Sequence, residues 1–308
     1  MPKYSAGGIE LPHAPYLIGA GVCKTLATTR EWLKLAPVVS GSYTKNRREG
    51  NPGRVVYPDS LEKLFELRYG LNSYGLPNIG FQEAAKQLSQ IDKRDQPLVV
   101  SVAGFSVAEY VEGVRVFSAN KNTDAIELNF GCPNTQDEDC QDVISFNPTA
   151  AGDVLTRLVE SGLTKKPIWL KFSPYSNPAE LQRIAELVNC FGERLRCAVV
   201  TCNAFPNAYG GPGKISPNMG LSGLSGHHLR PIALGQVLQF RHYLKSTIDV
   251  IGVGGITTGN DIVDFIEAGA AAVQLNSLAY WAGPKFFHKH LFKEETADRF
   301  LKLLRDTI

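Results

Sequence analysis

Residues 126–134 read IELNFGCPN, and the organisation of the chain is best understood from this stretch outward. Its first half is typical of a buried strand, whereas its second half turns to glycine, cysteine and proline, which end a strand. The thiol of Cys132 lies between the amides of Asn129 and Asn134, so the turn offers one proton acceptor and two neutral hydrogen-bonding groups. Taken alone, the stretch fits either a buried cysteine in a turn or the base of an active site.

Apolar runs of four to six residues recur along the chain and are separated by segments with helical spacing. In order, they cover residues 16–20, 38–42, 97–102, 125–129, 168–172, 198–203, 250–254 and 272–275. Parallel strands that are buried on both faces read as continuous apolar runs, and eight strand–helix units are typical of a (β/α)8 TIM barrel. The sequence therefore predicts an α/β barrel whose functional site lies at the carboxyl ends of the strands.

The remaining segments add to this barrel. Residues 4–12, with Gly7-Gly8 at the turn, predict an N-terminal hairpin that plugs the bottom of the barrel. Long insertions are predicted after strands 2, 4 and 6, at residues 43–80, 135–147 and 204–230. Insertions of this length in a compact domain are usually functional. Because no repeat or linker is visible, we expect one domain over residues 1–308.

Composition and charge narrow the class of protein. The chain has 308 residues, 44% of them hydrophobic, and a formal net charge of +2, which is too small for a nucleic-acid-binding surface. Its six cysteines form no CxxC pair, so we expect free thiols in a reducing compartment. No apolar run approaches the roughly 18 residues that a spanning helix needs, so a cytoplasmic protein without membrane association is expected.

Residues that could bind a ligand also stand at the ends of two other predicted strands. Gly254-Gly255 follows the seventh predicted strand and precedes a helix expected from about Thr258, a pattern that either forms a tight turn or holds a phosphate, with Ser277 adding a hydroxyl. Lys171 ends the fifth strand and is either a surface lysine or a cation in the barrel mouth. In the mouth it needs an anionic partner, which a reduced flavin would supply.

Five motifs occur in the order found in one enzyme family. Besides IELNFGCPN they are REGNP at 48–52, LNSYGLPNIGF at 71–81, LKFSPY at 170–175 and GVGGITTG at 252–259. From about residue 15 to 290 the chain resembles the FMN-dependent class 1 dihydroorotate dehydrogenases. The segments at 48–52 and 71–78 are most similar to class 1A.

The resemblance implies roles for individual residues. Cys132 falls on the base that takes the C5 proton of dihydroorotate while hydride passes from C6 to the flavin N5, giving orotate for de novo pyrimidine biosynthesis. Four asparagines fall on the positions that hold the pyrimidine ring: Asn72, Asn129, Asn134 and Asn203. The positions implied to contact FMN are Ala20, Gly21, Ser42, Lys171, Ser225, Gly226, Gly254, Gly255, Asn276 and Ser277.

The resemblance also implies partners. A class 1A enzyme is a cytoplasmic homodimer that passes electrons to fumarate. Neither a membrane-associating extension, expected of a quinone-linked class 2 enzyme, nor an Fe–S or NAD-binding motif is seen, so an NAD-linked form would need another subunit.

The chain departs from the class 1 pattern at two places. Class 1 members usually carry a lysine at the end of strand 2, where an ungapped alignment places Gly41-Ser42. We expect Lys24, just after strand 1, to replace this cation, and Lys45 is the alternative if the alignment contains a short deletion. The second departure is the loop TQDEDCQD at 135–142, whose four carboxylates would repel an anionic orotate unless they point to solvent.

These departures keep two other functions open. One is an FMN oxidoreductase of the same family that acts on a different dihydropyrimidine, cyclic alkene or amide. The more remote one is a non-redox phosphate-binding barrel, because fold alone does not fix function.

Overall fold

A computed structural model describes residues 4–92, 95–131 and 143–306. Its strands are β1 (Tyr4–Ala6), β2 (Ile9–Leu11), β3 (Tyr16–Cys23), β4 (Val38–Tyr43), β5 (Val56–Tyr57), β6 (Gly70–Asn72), β7 (Leu98–Val102), β8 (Ala125–Asn129), β9 (Ile168–Phe172), β10 (Ala198–Thr201), β11 (Phe205–Tyr209), β12 (Leu221–Ser225), β13 (Asp249–Val253) and β14 (Ala272–Leu275). Its α-helices are α1 (Leu26–Trp32), α2 (Leu61–Leu67), α3 (Phe81–Leu88), α4 (Val107–Ala119), α5 (Pro148–Ser161), α6 (Pro178–Leu195), α7 (Arg230–Tyr243), α8 (Gly259–Glu267), α9 (Ser277–Leu291) and α10 (Asp298–Asp306).

Eight parallel strands close into a barrel in the order β3, β4, β7, β8, β9, β10, β13 and β14, with β14 pairing back to β3. The predicted α/β barrel is thus confirmed, with every strand where an apolar run placed it. The largest differences are at two ends: the first strand continues to Cys23 rather than ending at residue 20, and the sixth ends at Thr201 rather than at 203. All other ends agree to within one residue.

The predicted N-terminal hairpin is confirmed as β1 and β2, whose turn residues Gly7 and Gly8 have φ of 55° and 79°. Positive φ at both central residues is the requirement of a type I′ turn. The hairpin closes the bottom of the barrel, because Leu11 packs with the inward-facing residues of the strands and the indole N–H of buried Trp169 donates to the Gly7 carbonyl at 2.9 Å.

The insertions after the second and sixth barrel strands meet above the barrel. They form a four-stranded antiparallel sheet in the order β11, β12, β6 and β5. The register pairs Asn72 of β6 with Gly223 of β12, so two segments about 150 residues apart in sequence position each other. Most of the insertion after the fourth barrel strand, at 135–147, lies outside the described residues.

None of the helices among the described residues is both long and apolar enough to cross a membrane.

Candidate active site

Two adjoining cavities open at the carboxyl end of the barrel. The first, here called the glycine-lined cavity, is lined by nine of the ten predicted FMN contacts: Ala20, Gly21, Lys171, Ser225, Gly226, Gly254, Gly255, Asn276 and Ser277. The second, the asparagine-lined cavity, is lined by Lys24, Ser42, Asn72, Tyr74, Asn129 and Asn203, among others. Lys171, Ala20 and Gly21 line both cavities, so a ligand in one would meet a ligand in the other beside these residues.

The glycine loop at Gly254-Gly255 packs too tightly for side chains. Their φ angles are 122° and 76°, and a Cβ on Gly255 would lie 2.6 Å from the backbone nitrogen of Arg230. The helix that follows does begin near Thr258, but the carboxylate of Asp261 accepts from the N–H groups of Thr257 and Thr258 at 2.9 Å each. Asp261 therefore caps the start of α8 and takes these two N–H groups, and the expectation that the loop at Gly254-Gly255 holds a phosphate stays a prediction.

The other wall of this cavity is formed by the ends of β3 and β14. Asn276 donates from Nδ2 to the carbonyl of Ala20 at 2.7 Å, while its buried Oδ1 has no partner among the described residues. A Cβ on Gly19 would lie 2.1 Å from that Oδ1, whereas a Cβ on Gly21 would meet nothing within 4 Å. This Oδ1 is buried against Gly19, whereas the open space at Gly21 is what a ligand in this cavity would fill.

The asparagine-lined cavity is built on connected amide side chains. Asn203 donates from Nδ2 to Oδ1 of Asn129 at 2.9 Å, and Asn129 donates from Nδ2 to the hydroxyl of Ser42 at 2.9 Å. The hydroxyl of Tyr110 holds the Asn129 backbone carbonyl at 2.8 Å. Asn72 reaches the same cavity from β6. Three of the four predicted asparagines are thus brought together.

Several predicted residues either lie outside the described part of the chain or line a different cavity from the one expected. Cys132 and Asn134 lie outside the described residues, as do the acidic residues Asp137, Glu138, Asp139 and Asp142. Ser42, which was grouped with the cofactor contacts, lines the asparagine-lined cavity and not the glycine-lined one.

The two candidate lysines differ in position. Lys24 lies at the asparagine-lined cavity with its Nζ 3.9 Å from the centroid of the Tyr74 ring, a cation–π distance. Lys45 pairs with Glu112 at 3.2 Å and lines neither cavity. Of the two, Lys24 is therefore the one that can meet a ligand there.

Beneath both cavities lies a buried polar layer, defined here as Ser101, Glu127, Lys171 and Gln274. Lys171 is 3% exposed, so the surface interpretation is wrong. Its Nζ donates to Oε1 of Gln274 at 3.0 Å and lies 3.9 Å from Oε1 of Glu127, which is fully buried. We predicted that a reduced flavin would supply the anionic partner of Lys171, but the protein itself supplies one.

Glu127 was missed by the sequence reasoning, although a signal was available. It occupies the centre of an apolar strand, two residues before Asn129, and alternate residues of a strand face the same side. The register places Asn129 beside Lys171 of β9, which puts Glu127, Asn129 and Lys171 on the inward face.

Cys202 also lines the glycine-lined cavity, so its thiol is a second candidate for the catalytic base. Burial raises the pKa of this thiol to about 12, although the charge of Lys171 acts to lower it. Cys202 is therefore a neutral thiol near pH 7 and a poor proton acceptor.

Comparisons with known proteins identify the family of this chain. The sequence model of the family described as Dihydroorotate dehydrogenase matches residues 7–295. Dihydroorotate dehydrogenase A (fumarate) of Lactococcus lactis subsp. cremoris strain MG1363 is 30% identical over 285 residues, covering 89% of this chain and 87% of that protein. The catalytic subunit of dihydroorotate dehydrogenase B (NAD(+)) of Fusobacterium nucleatum subsp. nucleatum is 31% identical over 246 residues, covering 79% and 75%.

A solved structure supports the fold. The crystal structure of DHODH from Eimeria tenella in complex with ferulenol superposes with a TM-score of 0.77, covering 99% of this chain and 84% of that chain. At 18% sequence identity, this similarity concerns the barrel and not its ligands.

Proposed function

Because this chain belongs to the dihydroorotate dehydrogenase family, we propose that it oxidises dihydroorotate to orotate, with FMN as its redox cofactor. The observation that carries the proposal is the pair of adjoining cavities that meet at Lys171. The glycine-lined cavity offers glycine backbone, hydroxyls and Lys171, and the asparagine-lined cavity offers amides and a second cation, Lys24. An oxidation of this kind needs a cofactor and a substrate held side by side.

The glycine-lined cavity offers the groups that FMN would need. Gly226, Gly254, Gly255 and the hydroxyl of Ser277 would hold the phosphate end, and Lys171 would meet the ring system. When bound, FMN supplies the acceptor for a hydride that the protein's own side chains do not provide.

The asparagine-lined cavity would hold the substrate. Asn72, Asn129 and Asn203, with Asn134 from the loop after β8, would pair with the amide groups of the pyrimidine ring. Each asparagine offers both a donor and an acceptor, as a cyclic imide requires. Lys24 would attract the substrate carboxylate in place of the lysine that class 1 members carry at the end of the second strand.

Cys132 would act as the base. Dihydroorotate loses a proton from C5 and a hydride from C6, and a thiolate at Cys132 would take the proton, forming the ring double bond of orotate. Cys202 is unsuited to this role because burial keeps its thiol protonated. The resemblance to class 1A supports fumarate as the electron acceptor and a cytoplasmic homodimer as the working form.

The test is anaerobic stopped-flow absorbance of the purified protein mixed first with dihydroorotate and then with fumarate. We expect a yellow protein whose flavin band bleaches with dihydroorotate and recovers with fumarate. Cys132→Ala should bind FMN normally and lose the bleaching. Unchanged bleaching in that variant would exclude Cys132 as the base.

The role of Lys24 as the cation that attracts the substrate carboxylate is tested separately. Lys24→Met should weaken dihydroorotate binding while FMN content stays normal, and Lys45→Met is the matched control because Lys45 pairs with Glu112 away from both cavities. Equal effects of the two substitutions would contradict the role of Lys24.

A second candidate is favoured by Ser42, a neutral residue where class 1 members place a lysine. An FMN oxidoreductase that acts on another dihydropyrimidine or cyclic alkene would also be yellow. Its flavin would stay oxidised with dihydroorotate. It would bleach with a neutral dihydropyrimidine or, once chemically reduced, be reoxidised by a cyclic alkene.

A further inference from the structure

Lys24 reaches the asparagine-lined cavity on a flexible side chain, whereas its backbone is fixed. It lies between Cys23, the last residue of β3, and Thr25, whose hydroxyl accepts from the backbone N–H of Thr28 at 3.1 Å and so begins α1. The ammonium group of a lysine stands at the end of a flexible aliphatic stem. Such a group loses conformational freedom when it binds a ligand, unless another group already holds it in place.

The ring of Tyr74 is well placed to hold this ammonium group. Nζ of Lys24 lies 3.9 Å from the ring centroid, and both residues line the asparagine-lined cavity. The face of an aromatic ring attracts a cation at this distance. The contact occupies one side of the ammonium group, which keeps N–H donors for a ligand in the cavity.

Tyr74 is itself fixed by its surroundings. Asn51 donates from its backbone N–H to the Tyr74 carbonyl at 2.8 Å and from Nδ2 to the Ser73 carbonyl at 3.0 Å. Gly75 has φ of 68°, and a Cβ there would collide with Oδ1 of Asn51. The Tyr74 ring lies at 59° to the ring of Tyr280, with the centroids 6.2 Å apart. Tyr74 is thus a rigid support for a flexible cation.

The charges around the cavity favour an anionic ligand. No carboxylate is found among the described residues that line the two cavities. Burial, and then the hydrogen bond with Tyr280, raise the pKa of Tyr74, so its ring is a neutral phenol near pH 7. A ligand carboxylate would therefore meet a cation, with no described carboxylate in the cavity wall to compete for it.

We propose that Tyr74 is a positioning residue that holds the Lys24 ammonium group toward the substrate carboxylate, so that the site prefers a carboxylated ring to a neutral one. This rests on the proposed function, because it takes Lys24 as the cation that meets dihydroorotate and orotate. A side chain that only filled space at position 74 would affect a charged and a neutral ligand alike.

The experiment compares orotate with orotamide, its neutral carboxamide, which has nearly the same shape. Flavin absorbance of the FMN-loaded protein is followed while each ligand is added, so that binding is measured without turnover. Tyr74→Leu should raise the Kd of orotate about 3- to 30-fold, the range that a cation–π contact supports, and leave that of orotamide nearly unchanged. Tyr74→Phe keeps the ring and should keep the preference. An equal loss for both ligands in Tyr74→Leu, no loss for orotate, or a lost preference in Tyr74→Phe would overturn the proposal.

Two controls separate this contact from general effects. Tyr57→Leu removes a contact of the same kind, since Nζ of Lys214 lies 4.9 Å from the Tyr57 ring centroid, but neither residue lines either cavity. Both Kd values should stay at the wild-type level in this variant. In a Lys24→Met background, Tyr74→Leu should not reduce the preference for orotate further, because the cation is already absent. A changed preference in Tyr57→Leu, or a further fall in the Lys24→Met background, would overturn the proposal.

A series of ring variants does not depend on the folding of Tyr74→Leu. Tyr74→Phe and fluorinated phenylalanines at the same position keep the ring, while fluorine withdraws electrons from its face. Because the negative face of the ring attracts the cation, the preference for orotate should fall as fluorine atoms are added. A constant preference across the series would overturn the proposal. Failure of the proposed function looks different, because it gives a preparation without flavin absorbance or one to which neither ligand binds.

Discussion

Gly21→Ala is expected to lower FMN affinity without unfolding the protein. Gly21 lies in β3 and lines both cavities, and a Cβ built on it meets no atom within 4 Å. The added methyl group would thus stand in cavity space and not in the packed core. Its φ of 98° is unfavourable for alanine, so the substitution also strains the backbone.

The backbone strain and the added methyl group have similar magnitudes but different readouts. The strain costs about 1–3 kcal/mol of stability. This strain is present with and without FMN, so it does not change the free energy of FMN binding. A methyl group forced into space that the cofactor needs costs about 1–3 kcal/mol of binding. We therefore expect the Kd for FMN to rise about 5- to 150-fold.

Gly211→Ala is the matched control. Gly211 follows β11, has φ of 102° and likewise has nothing within 4 Å of its virtual Cβ, but it lines neither cavity. It should lose a similar amount of stability and keep wild-type FMN affinity. The assay is fluorescence titration of the apoproteins with FMN, with urea unfolding for stability. Equal FMN affinities in the two variants would refute the placement of FMN beside Gly21.

Two further substitutions test the fold. Trp169→Phe removes the indole hydrogen bond to the Gly7 carbonyl, so we expect a loss of about 1–3 kcal/mol in urea unfolding with unchanged FMN content, and an unchanged midpoint would contradict the hairpin contact. Burial lowers the pKa of His288, whose Nε2 lies 3.2 Å from the Tyr16 hydroxyl. The unfolded chain therefore binds this proton more readily, and stability should fall as pH drops below about 6.5. His288→Gln should flatten part of this dependence, and an identical pH profile would exclude the contribution.

The barrel strands were predictable because their signal is local. A run such as residues 250–253 is apolar on both faces, as is typical of a parallel strand between the barrel interior and a helix. The antiparallel sheet above the barrel was not predicted. Its strands β5 and β6 have two and three residues, and β6 is ordered by pairing with β12, far away in sequence. A pattern within one segment does not contain such a pairing.

The site was predictable where a residue type is unusual for its position. Lys171 in an apolar strand and the amides of Asn129 and Asn203 after strands are of this kind, and the structure brings them together. The partner of Lys171 was not found, because the sequence does not show that Glu127 faces it across neighbouring strands. The capping of α8 by Asp261 was missed for a similar reason, since the glycine loop alone suggests an open helix end.

Closure of the barrel has a consequence for how the protein is made. Strand β3, near the start of the chain, completes its pairing only with β14, at Ala272–Leu275. During synthesis, the nascent chain therefore carries an unpaired edge of β3 until β14 has left the ribosome. Unpaired strand edges are templates for aggregation. A translation arrest or truncation before β14 should thus yield aggregates and not a smaller folded barrel.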